Sequence, residues 1–366
     1  MDNLNLLFKN KNVLVTGHTG FKGAWLCLWL IKLGANVTGL SIDIPSKPSH
    51  FTTAKIDDKI RDERLNIRDG EALKVLIKDV KPDFVFHLAA QALVRPSYIS
   101  PVETWQTNAF GTINLLESLR QYQHPCVAIF ITSDKCYDNK EWVWGYRETD
   151  ALGGPDPYSG SKGAAELAIR SYVKSFFPDD GPIKIGVGRA GNVIGGGDWA
   201  RDRIVPDCVR ACSKNKILEM RNPKATRPWQ HVLEPLSGYL NLAFMLSQNN
   251  KIHGEAFNFG PPDQQNNSVG ELVEVMSQNW DKVRWKDVSS LYGGPYESKL
   301  LKLNCDKAIH ELNWHTVWDF KTTVYETVAW YREYYENQNK VIDNFSLLQI
   351  DKYIGAAKSQ GLLWAQ

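Results

Sequence analysis

The sequence has few cysteines, and none are arranged for cross-linking or for zinc. The six (Cys27, Cys126, Cys136, Cys208, Cys212 and Cys305) are scattered, and no Cys-x-x-Cys occurs. Cys208 and Cys212 sit at helical spacing, a packing pattern. This argues against a disulfide-stapled secreted scaffold and against a metal centre, and predicts a reducing, cytoplasmic setting. No long hydrophobic run is present. The most apolar early stretch, 24–33, is short of the roughly 20 residues that span a bilayer. The opening Met1-Asp2-Asn3-Leu4-Asn5 lacks the basic start and apolar core of a signal peptide. There is no excess of charge: the formal net charge is +2, so nothing points to a nucleic acid partner. Internal repeats and low-complexity tracts are also absent, which excludes solenoids.

What remains is an ordinary globular composition, 43% hydrophobic and 23% charged, over 366 residues. That length suffices for one large domain or two fused ones with a core that needs no cross-links. Thirteen tryptophans are many for this length. Most are assigned to core or interface, and some to a sugar or base pocket.

The first chemistry-bearing segment lies close to the N-terminus. Residues 12–16 read as a short buried strand, followed by Gly17-His18-Thr19-Gly20-Phe21-Lys22-Gly23 and an apolar-periodic helix over 24–33. Strand, glycine loop and helix in this order predict a dinucleotide-binding turn. Gly17 permits the tight turn, Gly20 lets a diphosphate approach the backbone, and Gly23 lets helix and strand pack closely. The helix N-terminus then offers unpaired N–H groups to the phosphates. A second strand over 36–42 ends at Asp43, where a carboxylate would accept the ribose 2′-hydroxyl of NAD and repel a 2′-phosphate. Lys47 nearby is the opposing signal, since a basic residue suits NADP. NAD is the expected cofactor.

Strand–helix alternation continues. Residues 83–88 form a strand ending in Leu88-Ala89-Ala90-Gln91, small residues that admit a cofactor. A helix over 105–122 carries Asn108. A strand over 127–132 ends in Thr132 and leads to Ser133-Asp134-Lys135, at the sheet edge where open parallel sheets bind ligands. Residues 184–189 form another strand, after which alternation breaks down. Helices are expected over 206–213, 236–246, 269–278 and 322–336, with a short strand at 256–259 and a loop at Gly293-Gly294-Pro295. Tyr158 and Lys162, four residues apart, share one helix face. A phenol has an ordinary pKa of about 10 and is a poor base at neutral pH, but a neighbouring ammonium favours the phenolate. Such a pair can take a proton from an alcohol being oxidised. A lone Tyr-x-x-x-Lys on a solvated helix is common, so the pair gains meaning from the glycine loop and the Ser-Asp-Lys triplet.

Together, the Gly17 loop, His87-Leu88-Ala89-Ala90-Gln91, Asn108, Ser133-Asp134-Lys135, Tyr158/Lys162 and Arg189-Ala190-Gly191-Asn192 resemble an extended short-chain dehydrogenase/reductase. Within that family the chain is similar to nucleotide-sugar dehydratases. The pointers are the glycine loop, the block 132–142, Gly195-Gly196-Gly197-Asp198-Trp199, and Ala225-Thr226-Arg227-Pro228-Trp229-Gln230-His231-Val232. The resemblance covers about residues 9–335. It implies an α/β fold, a Rossmann-type doubly wound parallel sheet with a smaller mixed C-terminal substrate-binding domain. The boundaries would be 9–190 for NAD (later segments returning to it), 191–335 mainly for substrate, and 336–366 as an extension.

It further implies oxidation, dehydration and reduction of one sugar, CDP-D-glucose. Tyr158 as phenolate takes the 4-hydroxyl proton, and Lys162 lowers the phenol's pKa and holds the nicotinamide ribose. Ser133 binds the 4-oxygen, and Asp134 protonates the leaving C6 hydroxyl. Lys135 stands where many such dehydratases carry glutamate. It is read either as a neutral C5 base or as a cation stabilising the enolate. Asn66 and Ile67 stand in a segment that often reads Asp-Ile-Arg, with Asn66 accepting from the adenine amino group. His18 is read as packing near the cofactor or as a solvated loop residue. For the substrate, the resemblance points to Gln91, Ser133, Asn192, Arg227 and, later, Tyr296. Arg201 is a candidate phosphate ligand among Arg189, Arg203 and Arg221. It also implies a homodimer through helices at 105–122 and 160–176, and a product serving the deoxysugars of cell-surface polysaccharide. Two alternatives stay open: a 4-epimerase or a dehydratase for another nucleotide hexose on the same scaffold, and a catalytically silent dinucleotide-sensing scaffold.

Overall fold

A computed structural model describes residues 3–262, 265–291, 300–337 and 341–366. Its centre is a seven-stranded, all-parallel sheet. The strands are β1 (Asn12–Thr16), β2 (Asn36–Ser41), β3 (Arg61–Arg64), β4 (Phe84–His87), β5 (Cys126–Ile131), β6 (Ile183–Ala190) and β7 (Ala256–Phe259), in the order β7-β6-β5-β4-β1-β2-β3. The chain builds outward from β1 to β3, then crosses to the other side of β1 for β4 and onward. The order therefore reverses between β1 and β4, and the crevice at their C-terminal ends is where such a sheet binds its ligand. Parallel strands need both faces covered. Val13 and Val15 enter one core and Leu14 the other, all fully buried, as period-2 alternation requires.

Helices α1 (Phe21–Lys32), α2 (Gly70–Val80), α3 (Gly111–Arg120), α4 (Pro157–Phe176) and α5 (Leu233–Gln248) flank the sheet. Leu73 and Ile77 of α2, Leu115 and Leu119 of α3 and Ile169 of α4 share one core. The aromatic and aliphatic residues of α1 and α5 share the other. The start of α4 follows from local chemistry: the Asp156 carboxylate accepts from Ser159 N–H at 3.0 Å, and Pro157 occupies the first turn.

The Rossmann-type fold expected from the strand–loop–helix order is the one observed, with differences in detail. The helix expected over 105–122 is interrupted. A short helix (Pro101–Trp105) passes through a π turn (Gln106–Phe110) before α3. A π turn inserts an extra residue per turn and re-aims a side chain, here Asn108. β7, distant in sequence, returns to pair with β6. The remaining paired segments beyond β6 are two- and three-residue strands. At the C-terminus, α7 (Asp343–Ser359) packs on α1, where Trp29 contacts Tyr353 and Trp364 with centroids 5.9 and 6.0 Å apart, and α6 (Phe320–Glu336) packs against α7. Trp25, Trp29, Trp314, Trp330 and Trp364 are fully buried, so these five serve the core. The loop at Gly293-Gly294-Pro295 lies outside the described residues.

Candidate active site

The glycine loop sits in the β1/β4 crevice. Gly17 has φ +76°, and a Cβ there would lie 2.7 Å from the Ala89 nitrogen. A Cβ on Gly23 would lie 2.2 Å from the Gly17 oxygen. Gly20 is the residue before α1 and offers no side-chain cap. The first-turn N–H groups of α1, which have no partner within the helix, are thus left for an anion. This cradle fits a dinucleotide diphosphate: backbone donors, no side chain in the way, and positive helix polarity. Ala89 N–H donates to Thr16 Oγ1 at 3.2 Å, fixing the opposite lip, which Leu88 and Ala90 flank.

His18 is not solvated. Its ring lies against Gly39, where a Cβ would come within 2.4 Å, and it hydrogen-bonds Asp62 at 2.8 Å and Ser41 at 3.0 Å. Burial pushes its pKa down, opposed by Leu40's backbone and by Asp62. Thr19 donates to the Asp43 carbonyl at 2.7 Å. The Asp43 side chain itself is exposed, two residues beyond the end of β2, while Ser41 holds the strand's last position. Asn66 accepts from Arg68 N–H at 3.0 Å, and Ile67 is buried against Gly111. Phe21 packs beside Gly195. Lys22, on the first turn of α1, reaches to 6.0 Å from the Tyr239 ring centroid. Burial pushes its pKa down to about 8. The Asp134 carboxylate opposes that fall, and Arg203 and Lys162 add to it.

The π turn explains Asn108. Its side chain accepts from Gln91 N–H at 2.8 Å and donates to Ser161 Oγ at 2.9 Å, tying the β4 loop to α4. The Gln91 amide is spent on its own loop: Nε2 donates to Leu93 O and Thr104 Oγ1, and Oε1 accepts from Leu93 N–H.

At the end of β5, Ser133 and Asp134 are buried. Ser133 Oγ donates to Asp134 Oδ1 at 2.9 Å, accepts from Lys135 N–H at 3.2 Å and faces the Tyr158 phenol. Gly191 makes room for the acid, since a Cβ there would lie 1.9 Å from Asp134 Oδ2. Lys135 is partly exposed. Tyr158 and Lys162 project from α4 one turn apart, both buried. Burial pushes Lys162 down to about 8, opposed by Cys136 and Glu166. The simple expectation that Lys162 depresses the phenol is not met. Burial pushes Tyr158 up to about 12, Ser133's hydrogen bond opposes this, Asp134 adds to it, and the leading cation facing the phenol is Arg203. Arg203 is held by Asp198 at 2.8 Å.

The arginines sort differently from their sequence reading. Arg189 is not available to phosphates. It is buried in a two-pronged ion pair with Glu166 (2.8 and 2.9 Å) and donates to Tyr137 Oη at 2.7 Å. Thr132 Oγ1 donates to the same Glu166 at 2.5 Å, so Thr132 braces the strand end. Arg201 is exposed. Arg227 donates to the Thr226 carbonyl at 2.7 Å, and Asn192, at φ 38°, accepts from Gln230 N–H through its own carbonyl at 3.3 Å. Tyr296 lies outside the described residues. Sequence reading passed over Glu166, although it lies one further helical turn along from Lys162. It also left Arg203 among several equal candidates, because only the fold turns that side chain toward Tyr158.

A glycine-cradled switch point with a buried Tyr-x-x-x-Lys pair beside it defines a site of the extended short-chain dehydrogenase/reductase class. The family model for GDP-mannose 4,6 dehydratase matches residues 14–327. CDP-glucose 4,6-dehydratase of Salmonella typhimurium is 45% identical over 356 residues, 95% of this chain and 98% of that protein. Human dTDP-D-glucose 4,6-dehydratase is 24% identical over 90% of this chain and 93% of that one. Among solved structures, dTDP-glucose 4,6-dehydratase from Bacillus anthracis in complex with NAD aligns with a TM-score of 0.72. It has 21% identity and covers 91% of this chain and 98% of that chain. UDP-glucose-4-epimerase from Stenotrophomonas maltophila with bound NAD aligns at 0.77, with 20% identity and coverage of 90% and 100%. The structural likenesses establish the fold. The chain belongs to the GDP-mannose 4,6 dehydratase family of nucleotide-sugar dehydratases.

Proposed function

We propose that this chain converts CDP-D-glucose to CDP-4-dehydro-6-deoxy-D-glucose and water, as a hydro-lyase that uses NAD and regenerates it each turnover. The observation that carries the reading is the buried cluster of Tyr158, Ser133, Asp134 and Lys162, combined with 45% identity to a CDP-glucose 4,6-dehydratase across nearly the whole chain. NAD, when bound, would supply the hydride acceptor for C4 and the donor for C6.

The protein's own groups do the rest. Gly17, Gly20, Gly23 and the start of α1 hold the diphosphate, with His18, Thr19, Phe21 and Lys22 shaping the loop. Asp43, Asn66 and Ile67 lie toward the adenosine end, and Leu88–Gln91, Asn108 and Thr132 brace the nicotinamide end. Tyr158 takes the 4-hydroxyl proton, Ser133 holds the 4-oxygen, and Lys162 stabilises the developing negative charge. The 4-ketone makes C5–H acidic, Lys135 either takes the C5 proton or stabilises the resulting enolate as a cation, and Asp134 protonates the leaving hydroxyl. An epimerase needs no such acid, which is why Asp134 favours dehydration. Asn192, Arg201, Arg227 and Tyr296 are assigned to the nucleotide sugar, with residues 9–190 mainly holding NAD, 191–335 mainly the substrate and 336–366 as an extension.

Two coarser features complete the reading. All six cysteines are free, in keeping with a cytoplasmic setting, and among the described residues no helix is long and apolar enough to cross a membrane. A homodimer is supported by exposed Ile99, Val102, Trp105, Phe110 and Leu167, apolar residues carried on neighbouring helices. The test is incubation with CDP-, dTDP-, GDP- and UDP-glucose and NAD. A product absorbing strongly in base from CDP-glucose alone is expected. An epimer mixture, or no turnover, refutes the reading.

A further inference from the structure

The proposed reaction leaves two groups out of balance. Tyr158 gains a proton from the 4-hydroxyl, and Asp134 loses one to the departing C6 hydroxyl. The C5 proton is taken and returned by one base and cancels. Without a transfer between them, Tyr158 ends each turnover with one proton too many and Asp134 with one too few.

Ser133 lies against both groups. Its Oγ donates to Asp134 Oδ1 at 2.9 Å and faces the Tyr158 phenol. The three side chains are 3–7% exposed, so bulk water has little access. The Lys135 N–H, 3.2 Å from the same oxygen, holds the hydroxyl in place, and Gly191 fixes the carboxylate on its other side.

We propose that Ser133 is a proton bridge, and that the proton Tyr158 takes from the 4-hydroxyl is the one Asp134 gives to the leaving C6 hydroxyl. The idea rests on the dehydratase reading. The step balances. Tyr158 O–H breaks as Ser133 Oγ gains that proton, and Ser133's original O–H breaks as Asp134 Oδ1 gains its proton. Ser133 is unchanged, the phenolate and the carboxylic acid are restored, and no co-reactant is consumed. A phenol is the weaker acid, so only a small fraction of Asp134 is protonated this way at any instant. Departure of the C6 hydroxyl as water draws the transfer forward. Arg203 favours the phenolate. Lys22, Asp156 and Tyr239 are the other titratable groups facing the pair.

The experiment uses holoenzyme with CDP-glucose, quenched rapidly into borodeuteride. Deuterium at C4 of a 6-hydroxy sugar counts molecules oxidised but not dehydrated, and deuterium at C4 of a 6-deoxy sugar counts product. In Ser133→Ala, Asp134 must draw its proton from solvent. The oxidised, undehydrated fraction is then expected to rise at least about tenfold, on the scale of a lost general acid–base contact. Added acetate buffer should restore dehydration in proportion to its acid form. Ser133→Gly should repeat this pattern, and Ser133→Thr, which keeps the hydroxyl, should partition like the wild type without any acetate effect. Equal slowing of oxidation and dehydration in Ser133→Ala with no acetate response overturns the bridge. So does acetate dependence in Lys22→Met instead, which makes Lys22 the donor. Conversion by the wild type in the same run keeps these outcomes separate from failure of the dehydratase reading, which is marked by wild type giving no 6-deoxy product.

Discussion

At the residue scale, burial is the dominant influence on the candidate catalytic groups. It pushes Lys162 and Lys22 down to about 8 while pushing the Tyr158 phenol up to about 12. A lysine with a lowered pKa loses its charge as pH rises through about 8. Turnover that needs the Lys162 cation should therefore decline above that pH. A kcat profile between pH 6 and 10 checks this, and Lys162→Arg, whose guanidinium stays charged, should lose most of the alkaline limb at a lower maximum. Lys162→Met should lower C4 oxidation by about 10²–10⁴-fold, the usual range for an acid–base partner. Lys135 has its own test. Lys135→Met should still oxidise C4 but lose C5 exchange with deuterated solvent, and unchanged deuterium uptake at C5 removes it from the base role.

At the element scale, α4 sets the geometry. Tyr158, Lys162 and Glu166 follow one another at four-residue spacing on one buried face, so a single helix offers the phenol, the ammonium and the anchor. Glu166 clamps Arg189 of β6 and receives Thr132 at the end of β5, which locks helix and sheet together where the reaction is proposed. Removing one partner of such a buried pair leaves an uncompensated charge. Arg189→Met should cost about 3–5 kcal/mol in urea unfolding. The turn after β6 has no space to spare. Gly191→Ala would force Asp134 aside, and turnover should fall about 100-fold with the far-ultraviolet spectrum intact, in line with the loss expected from displacing a general acid. Six of the seven sheet strands were legible to within a residue or two because buried apolar runs are strong local signals; β3 was not, because its Arg-Asp-Glu-Arg sequence has no apolar run. The π turn was not legible, because what stabilises it is Asn108 bonding to Gln91 and Ser161, partners 17 and 53 residues away.

At the scale of the whole molecule, the exposed apolar residues are unevenly spread. Ile99, Val102, Trp105 and Phe110 lie on successive short helices packed against α4, which itself carries exposed Leu167. If this face joins two copies, Ile99→Glu combined with Val102→Glu should yield a monomer by sedimentation while the unmodified protein sediments as a dimer. A second long-range feature is Glu234 of α5. It is fully buried and accepts from Val317 N–H, Trp318 N–H and Tyr353 Oη, joining α5 to the C-terminal helices. Burial pushes its pKa up to about 7 against these donors. The folded form thus binds a proton more tightly than the unfolded chain, and this group's contribution to stability falls as pH rises from about 4.5 to about 7.

The sequence by itself determined the class of fold, the dinucleotide turn and the candidate reactive groups. These depend on local order and spacing: a strand, then three glycines, then a helix, with a phenol four residues before a lysine. Only the tertiary structure decided how those groups behave. It buried Arg189 against Glu166, so a candidate phosphate ligand became an anchor, and it turned Arg203 toward Tyr158. It also left the Asp43 side chain in solvent past the strand end and brought Tyr158 against the hydrogen-bonded Ser133–Asp134 pair. Burial and long-range contact set the charge and direction of a side chain, and neither is a property of its neighbours in sequence.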